Sequence, residues 1–259
     1  MCSLSLRQKG PYSARRDAVM NKEDVLRVIQ EVGIIPAIRV SSAEDAHFAA
    51  DTVARAGIPI VEITMTVPEA CKLMTHLMRH HPTIVVGAGT VLSTEMAGDC
   101  LDAGANFLTS PGFNQKTIEF AAQRGIAVLP GALTPTEIIT AWEAGGDYIK
   151  VYPCAELGGD RYIKALKAAL PQIPLIAAGG VNQHTASGYI LAGASAIGVG
   201  TELIPRDAIK HRESERIQEL AQRFLTAVKE ARERLSPPKE TSKPAKTSFL
   251  KLDKRIAKS

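Results

Sequence analysis

The spacing of apolar residues changes character early in this chain. Asn21, followed by Glu23 and Asp24, precedes DVLRVIQEV, whose apolar positions fall at helical intervals and which stops at Gly33. A capping side chain, early acids and a closing glycine predict a short leading helix. From residue 34 onward the pattern becomes one of short β-rich runs: IIPAIRV, PIVEITM, TIVVGAG, NFLTSPG, IAVLPG, DYIKVYP, PLIAAGG and SAIGVGT. Helix-length segments separate them, among them AEDAHFAADTVARAG, PEACKLMTHLMRH, TPTEIITAWEAG and GDRYIKALKAAL, and the series ends in ESERIQELAQRFLTAVKEARERL. Each helical segment before the last is followed by a turn residue, usually glycine, close to the next strand, which is how a βα repeat is punctuated.

Strands that are apolar nearly throughout are covered on both faces, so the sheet is expected to be parallel. Eight such units predict an α/β fold, a closed (β/α)8 TIM barrel with a short N-terminal leading helix. An open doubly wound sheet would call for a GxGxxG fingerprint after the first strand, and none stands there. A chain of 259 residues, 45% hydrophobic, suffices for one large core. The expected organisation is a flexible segment over 1–20, the barrel over 21–235 and a basic, disordered tail over 236–259 that opens with Ser-Pro-Pro.

The formal charge of +4 resides in the ends of the chain. Residues 236–259 carry seven Lys/Arg against two acids and residues 1–20 carry four against Asp17, leaving 20 basic and 24 acidic residues in 21–235. A mildly acidic body argues against a nucleic-acid partner. The four cysteines, Cys2, Cys71, Cys100 and Cys154, form no CxxC and read as reduced cytosolic thiols. With no long apolar stretch and no signal-peptide core near the start, a membrane or secreted form is not expected, and the protein is placed in the cytoplasm. The Arg/Ser-rich opening resembles a transit peptide faintly, and Met20 is an equally good start.

Catalytic groups of such barrels sit at the C-terminal ends of strands, which directs attention to Arg39, Glu62, Thr64, Thr90 and Lys150. A charge inside a strand is costly to bury unless it is paired or used. In DYIKVYP, alternation puts Lys150 with Tyr148 and Tyr152 on one face, opposite Ile149 and Val151, so Lys150 points into the barrel. It is there either a nucleophile, favoured as the free amine by burial or by a cation such as Arg39, or one half of an ion pair with Glu62. Glu62 suits proton shuttling or that same ion pair. The planar fork of Arg39 suits a substrate carboxylate, or simply faces solvent at a loop start. Gly179-Gly180 and Gly198-Val199-Gly200-Thr201 close the seventh and eighth runs, where barrels of this type bind phosphate through glycine-rich loops; glycine pairs also make ordinary turns. His76, His80 and His81 lack the HExxH pattern and no metal is expected there. Trp142, Met74 and Met78 read as core or interface residues.

From Asn21 to Leu235 the chain resembles the KDPG/KHG aldolase family, the 2-dehydro-3-deoxy-phosphogluconate and 4-hydroxy-2-oxoglutarate aldolases. The resemblance rests on AIRVSS, VEITMTVPEA, VVGAGTVLS, SPGFN, LPGALTPTE, YIKVYPCAELGG, YIKALKAALP, AAGGVN and GVGTEL, in that order. It implies a class I aldolase needing no cofactor, with Lys150 as the Schiff-base lysine and Glu62 as the general acid/base. It further implies Arg39 and Thr90 as contacts to the pyruvate carboxylate, with Thr64 and Thr66 lining the same pocket. Gly179, Gly180, Gly200 and Thr201 become the phosphate cradle for a phosphorylated keto acid, and the assembly becomes a homotrimer. Members specific for the gluconate-derived substrate often read Thr-Gly-Gly where this chain reads Ala178-Gly179-Gly180. Loss of that hydroxyl leaves the galactonate-derived isomer open as a substrate. Two readings from other classes stand beside the aldolase: a phosphosugar isomerase or epimerase, and a non-catalytic phosphosugar-binding barrel.

Overall fold

The computed structural model describes residues 20–81 and 83–236. Apart from Met20 and Ser236, the segments expected to be flexible at the start and basic and disordered at the end lie outside the described residues. Helix α1 (Lys22–Val32) is followed by β1 (Ile34–Ile38), α2 (Ala43–Arg55), β2 (Ile60–Thr64), α3 (Ala70–His80), β3 (Val85–Gly89), α4 (Thr94–Asp102), β4 (Phe107–Thr109) and α5 (Gln115–Ala122). The second half runs β5 (Ala127–Leu129), β6 (Gly131–Ala132), α6 (Pro135–Glu143), β7 (Ile149–Val151), α7 (Asp160–Ala169), β8 (Leu175–Ala178), α8 (Ala186–Leu191), β9 (Ala196–Val199), α9 (Arg206–Lys210) and α10 (Ser214–Leu235).

The nine strand segments are all parallel, in the order β5-β4-β3-β2-β1-β9-β8-β7-β6. β5 and β6 are one barrel strand, the run IAVLPG, interrupted at Pro130. Proline has no N–H to give to a ladder, so the run pairs with β4 before Pro130 and with β7 after it. The ring is completed there by the Asp147 N–H donating to the Val128 carbonyl and the Lys150 N–H donating to Pro130, both at 2.9 Å. Eight strands in a closed parallel barrel is what the apolar runs predicted, and each predicted helix is present. Helix α9 was not predicted: five residues are too few for a 3.6-residue period to show.

The two mouths of the barrel differ. At the N-terminal mouth, α1 lies across the strand starts with Val25 and Ile29 buried. Its Asn21 cap accepts the Asp24 N–H at 2.8 Å, and its Gln30 accepts from the Tyr148 hydroxyl at 3.0 Å. Lys22 pairs with Asp147 at 2.7 Å, and Arg232 of α10 donates to the carbonyls of Glu31 and Ser195. With that end closed, polar groups on the strands meet solvent at the C-terminal mouth. No helix among the described residues is long and apolar enough to cross a membrane.

Candidate active site

β2 and β7 bring the two interior charges together. Lys150 Nζ lies 3.3 and 3.4 Å from the two carboxylate oxygens of Glu62 and 3.4 Å from Thr109 Oγ1. The side chains of Lys150 and Glu62 are 13% and 4% exposed, so the pair is withdrawn from bulk water yet reachable from the mouth. These contacts are long for hydrogen bonds, the looseness usual before a substrate tightens a site.

Glu62 can occupy the interior because β3 offers it no side chain. A Cβ on Gly89 would stand 2.1 Å from Glu62 Oε1 and 2.6 Å from its Cγ, and one on Gly87 would lie within 2.1 Å of the Phe107 ring. The sequence VVGAG is thus a pair of vacancies facing the barrel, one filled by an aromatic ring and the next by the carboxylate.

Beside this pair, Arg39 Nη2 donates to Thr90 Oγ1 at 3.2 Å across the ends of β1 and β3. Thr90 holds φ at 60°. A β-branched residue is a true outlier in that region and costs on the order of 1–3 kcal/mol, a strain that concentrates at binding and catalytic positions. The Thr64 hydroxyl donates to the Ile38 carbonyl at 2.9 Å and shares a hydrogen bond with Thr66 Oγ1 at 2.8 Å. Arg39, Thr64, Thr66 and Thr90 therefore form one polar rim over β1, β2 and β3.

The next part of the mouth, after β9 and β8, is made of backbone. Gly179 and Gly180 follow β8 with φ of 84° and 77°. A Cβ on Gly180 would meet that of Ala155 at 2.3 Å, so conformation and space both require glycine there. Gly200 and Thr201 follow β9. None of the N–H groups of these four residues donates to an acceptor among the described residues, which leaves a set of donors at the mouth of the kind that receives an anion. The loop after β7 is fixed to β8 by the Cys154 N–H on Ala178 O at 2.8 Å and the Ala155 N–H on Gly179 O at 3.1 Å. Burial pushes the Cys154 thiol up to about 11 and the adjacent Tyr189 hydroxyl up to about 12, so both stay neutral beneath that loop.

Six of the ten residues expected at the site fall into three contacting pairs, Lys150 with Glu62, Arg39 with Thr90, and Thr64 with Thr66, and the other four make the loops after β8 and β9. Arg39, the candidate cation beside Lys150, donates to Thr90, and the charged side chain in contact with Nζ is Glu62. Two residues were missed. Thr109 was legible as a polar residue on the same face as Phe107 in an otherwise apolar strand; Gly89 carries no polar signal at all. The histidines have an ordinary explanation. His76 stacks on His80 with ring centroids 4.0 Å apart and tilts against His47 at 4.5 Å, while His47 and His81 flank Asp51 at 3.3 and 2.9 Å. Among the described residues no group of three or more His, Cys, Asp or Glu is placed to hold a metal ion. Met74 is core, whereas Trp142 stands 37% exposed on α6.

A family model described as KDPG and KHG aldolase matches residues 25–220. The chain belongs to that aldolase family. This family member is 31% identical over 202 residues to the 2-dehydro-3-deoxy-6-phosphogalactonate aldolase of Escherichia coli (strain K12), covering 77% of this chain and 95% of that one. It is 30% identical over 168 residues to the 2-dehydro-3-deoxy-phosphogluconate aldolase of Haemophilus influenzae, covering 65% and 79%. The solved structure of the KDPG aldolase from Legionella pneumophila, with pyruvate captured at low pH as a covalent carbinolamine intermediate, matches with a TM-score of 0.70 at 30% identity, covering 75% of this chain and 94% of that one. Aldolases named for the gluconate-derived and for the galactonate-derived substrate are thus both similar to this chain.

Proposed function

We propose that this protein is a class I aldolase that cleaves 2-dehydro-3-deoxy-6-phosphogluconate to pyruvate and glyceraldehyde 3-phosphate, and that it also acts on 4-hydroxy-2-oxoglutarate. The observation that carries the reading is the contact of Lys150 Nζ with the Glu62 carboxylate, nearly enclosed, at the open mouth of the barrel. An ion pair and a nucleophile–base pair share this geometry. What favours the second is its setting, in a barrel whose C-terminal mouth also carries an arginine fork and a set of free backbone donors.

In the proposed cycle Lys150 attacks C2 of the keto acid, and Glu62 moves protons as the carbinolamine forms and loses water. The resulting iminium draws electrons from the C3–C4 bond while Glu62, directly or through a water, takes the proton of the C4 hydroxyl. Glyceraldehyde 3-phosphate departs, the enamine is protonated at C3, and hydrolysis returns pyruvate and free lysine. Arg39 and Thr90 hold the carboxylate, Thr64 and Thr66 line that pocket, and Gly179, Gly180, Gly200 and Thr201 receive the phosphate. The contribution of these groups is chiefly positioning. The iminium serves as electron sink, so the scheme calls on no metal or organic cofactor. We also propose a homotrimer, which sedimentation equilibrium would test.

A second reading is favoured by Ala178. Its methyl group is buried at the end of β8, directly before the glycine turn, where a hydroxyl could read the configuration at C4. An apolar group there discriminates weakly, since only a buried polar partner rejects the wrong epimer strongly. Cleavage of the gluconate- and galactonate-derived substrates should be measured side by side in EDTA, with Lys150→Met as control. Pyruvate release from either, abolished in the variant, is the expected result; wild-type activity in the variant would overturn the Schiff-base reading, and a strict requirement for added metal would do so as well.

A further inference from the structure

Among the described residues three oxygens lie within hydrogen-bond reach of Lys150 Nζ, and they are of two kinds. Glu62 supplies two carboxylate oxygens at 3.3 and 3.4 Å, and Thr109 supplies one hydroxyl at 3.4 Å. An ammonium has three hydrogens to give. Formation of an imine from it consumes two: ammonium plus ketone gives an iminium with a single N–H plus one molecule of water, whose two hydrogens are those lost from nitrogen. Glu62 can accept and return protons, so the two hydrogens aimed at its carboxylate are those it can carry to the departing C2 oxygen. The hydrogen aimed at Thr109 has no such exit, because an alcohol is far too weak a base to remove it.

We infer that Thr109 is a further catalytic residue, whose hydroxyl accepts the one N–H that Lys150 keeps as an iminium and so frees the Glu62 carboxylate for proton transfer at C2, C3 and C4. The inference rests on the Schiff-base reading of Lys150. The surroundings of Thr109 fit the task. It ends β4, is 2% exposed, and its hydroxyl has Lys150 Nζ as hydrogen-bond partner among the described residues. A β-branched side chain within a strand has restricted χ1 freedom, and the backbone is fixed by the Val91 N–H on Thr109 O at 3.0 Å and by pairing of Thr109 with Leu129. The hydroxyl is therefore held beside the nitrogen while the Glu62 carboxylate serves the substrate. Without it, the iminium N–H would have to keep Glu62 as partner, and the carboxylate would serve either the nitrogen or the reacting carbons at any moment.

The test compares Thr109→Val, which replaces the hydroxyl by a methyl group of similar size, with Thr109→Ser, which keeps it. For each, kcat and KM for aldol cleavage are measured together with the rate of borohydride trapping of pyruvate on Lys150, and thermal melts check the fold. Thr109→Val should lower kcat and the trapping rate by about tenfold or more, the loss associated with a hydrogen bond to a charged group. KM should change by less than about threefold, because binding of carboxylate and phosphate is left to other residues, and Thr109→Ser should recover most of the rate. Thr109→Val within twofold of wild type, or Thr109→Ser as slow as Thr109→Val, would overturn the inference, the second outcome assigning Thr109 to packing. Failure of wild-type protein to trap pyruvate on Lys150 would instead overturn the Schiff-base reading, and the inference with it.

Discussion

Gly89→Ala adds one methyl group to the barrel interior and should disable the site far more than it destabilises the fold. The new Cβ would lie 2.1 Å from Glu62 Oε1 and 2.6 Å from both Cγ and Cδ, against 3.4 Å or more for ordinary contact. The whole outer half of the Glu62 side chain must therefore retreat by about an ångström, and it cannot do so freely, since Glu62 is 3% exposed and every residue of β2 is buried. A displacement of that size at a catalytic group costs about 100-fold in rate. Overpacking a core costs about 1–3 kcal/mol. For a domain of this size that is a fall in Tm of roughly 3–9 °C. The backbone at Gly89 adds nothing to this, because its φ lies outside the left-handed region. The assay is kcat for aldol cleavage alongside differential scanning calorimetry. A folded Gly89→Ala protein with kcat within threefold of wild type would refute the reasoning, because the carboxylate would then not need the position Gly89 gives it.

Gly98→Ala is the matching control. Gly98 lies inside α4, where an added Cβ would come no closer than 3.8 Å to Phe120, so calorimetry should show a gain of roughly 0.5–1 kcal/mol with kcat unchanged. Glu62→Gln should lower kcat by about 10²–10⁴-fold, as expected on loss of a general acid/base, with KM changed much less. Arg39→Lys keeps the charge but loses the fork that reaches Thr90, so steady-state kinetics should show KM for the keto acid raised about tenfold and kcat little altered. His76 has its pKa lowered, first by burial and then by His80 and His47. Its protonation therefore favours the unfolded chain, and its contribution to stability, complete above the ordinary value of 6.5, is lost as pH falls below it. Urea melts between pH 7 and 5 should lose less stability in His76→Gln than in wild type. The Cys100 thiol, raised to about 12 by burial, behaves in the opposite sense: its contribution is complete below the ordinary thiol value of 9.0 and is lost progressively as pH climbs toward about 12. Denaturant melts from pH 8 to 11 should accordingly show a shallower loss in Cys100→Ala.

The barrel was legible because each of its units repeats the same punctuation: an apolar run, a helix at 3.6-residue spacing and a turn residue. Lys150 and Glu62 were legible for a related reason, as charges inside runs where burial would otherwise forbid them. The pairing of Lys150 with Glu62 was among the alternatives read from the residues, whereas the other contacts across the barrel were not. Pro130 reads as a turn residue at the end of IAVLPG, yet it divides a strand whose second half pairs on the other side of the closure. Arg39 was correctly read as a strand-end cation, but its partnership with Thr90, 51 residues away, depends on how β1 and β3 are staggered. Gly89 is invisible as a functional position because its contribution is an absence of atoms. Thr109 shows its face in the sequence but not its partner, since only the fold brings it to the nitrogen of Lys150.

The central claim is that Lys150 is the nucleophile, and the most direct measurement is to reduce the protein with borohydride in the presence of pyruvate and map the product by peptide mass spectrometry. A reduced pyruvate adduct on the peptide bearing Lys150, absent without pyruvate and absent in Lys150→Met, is the predicted result. An adduct on another lysine, or none while aldol cleavage proceeds, would contradict the account.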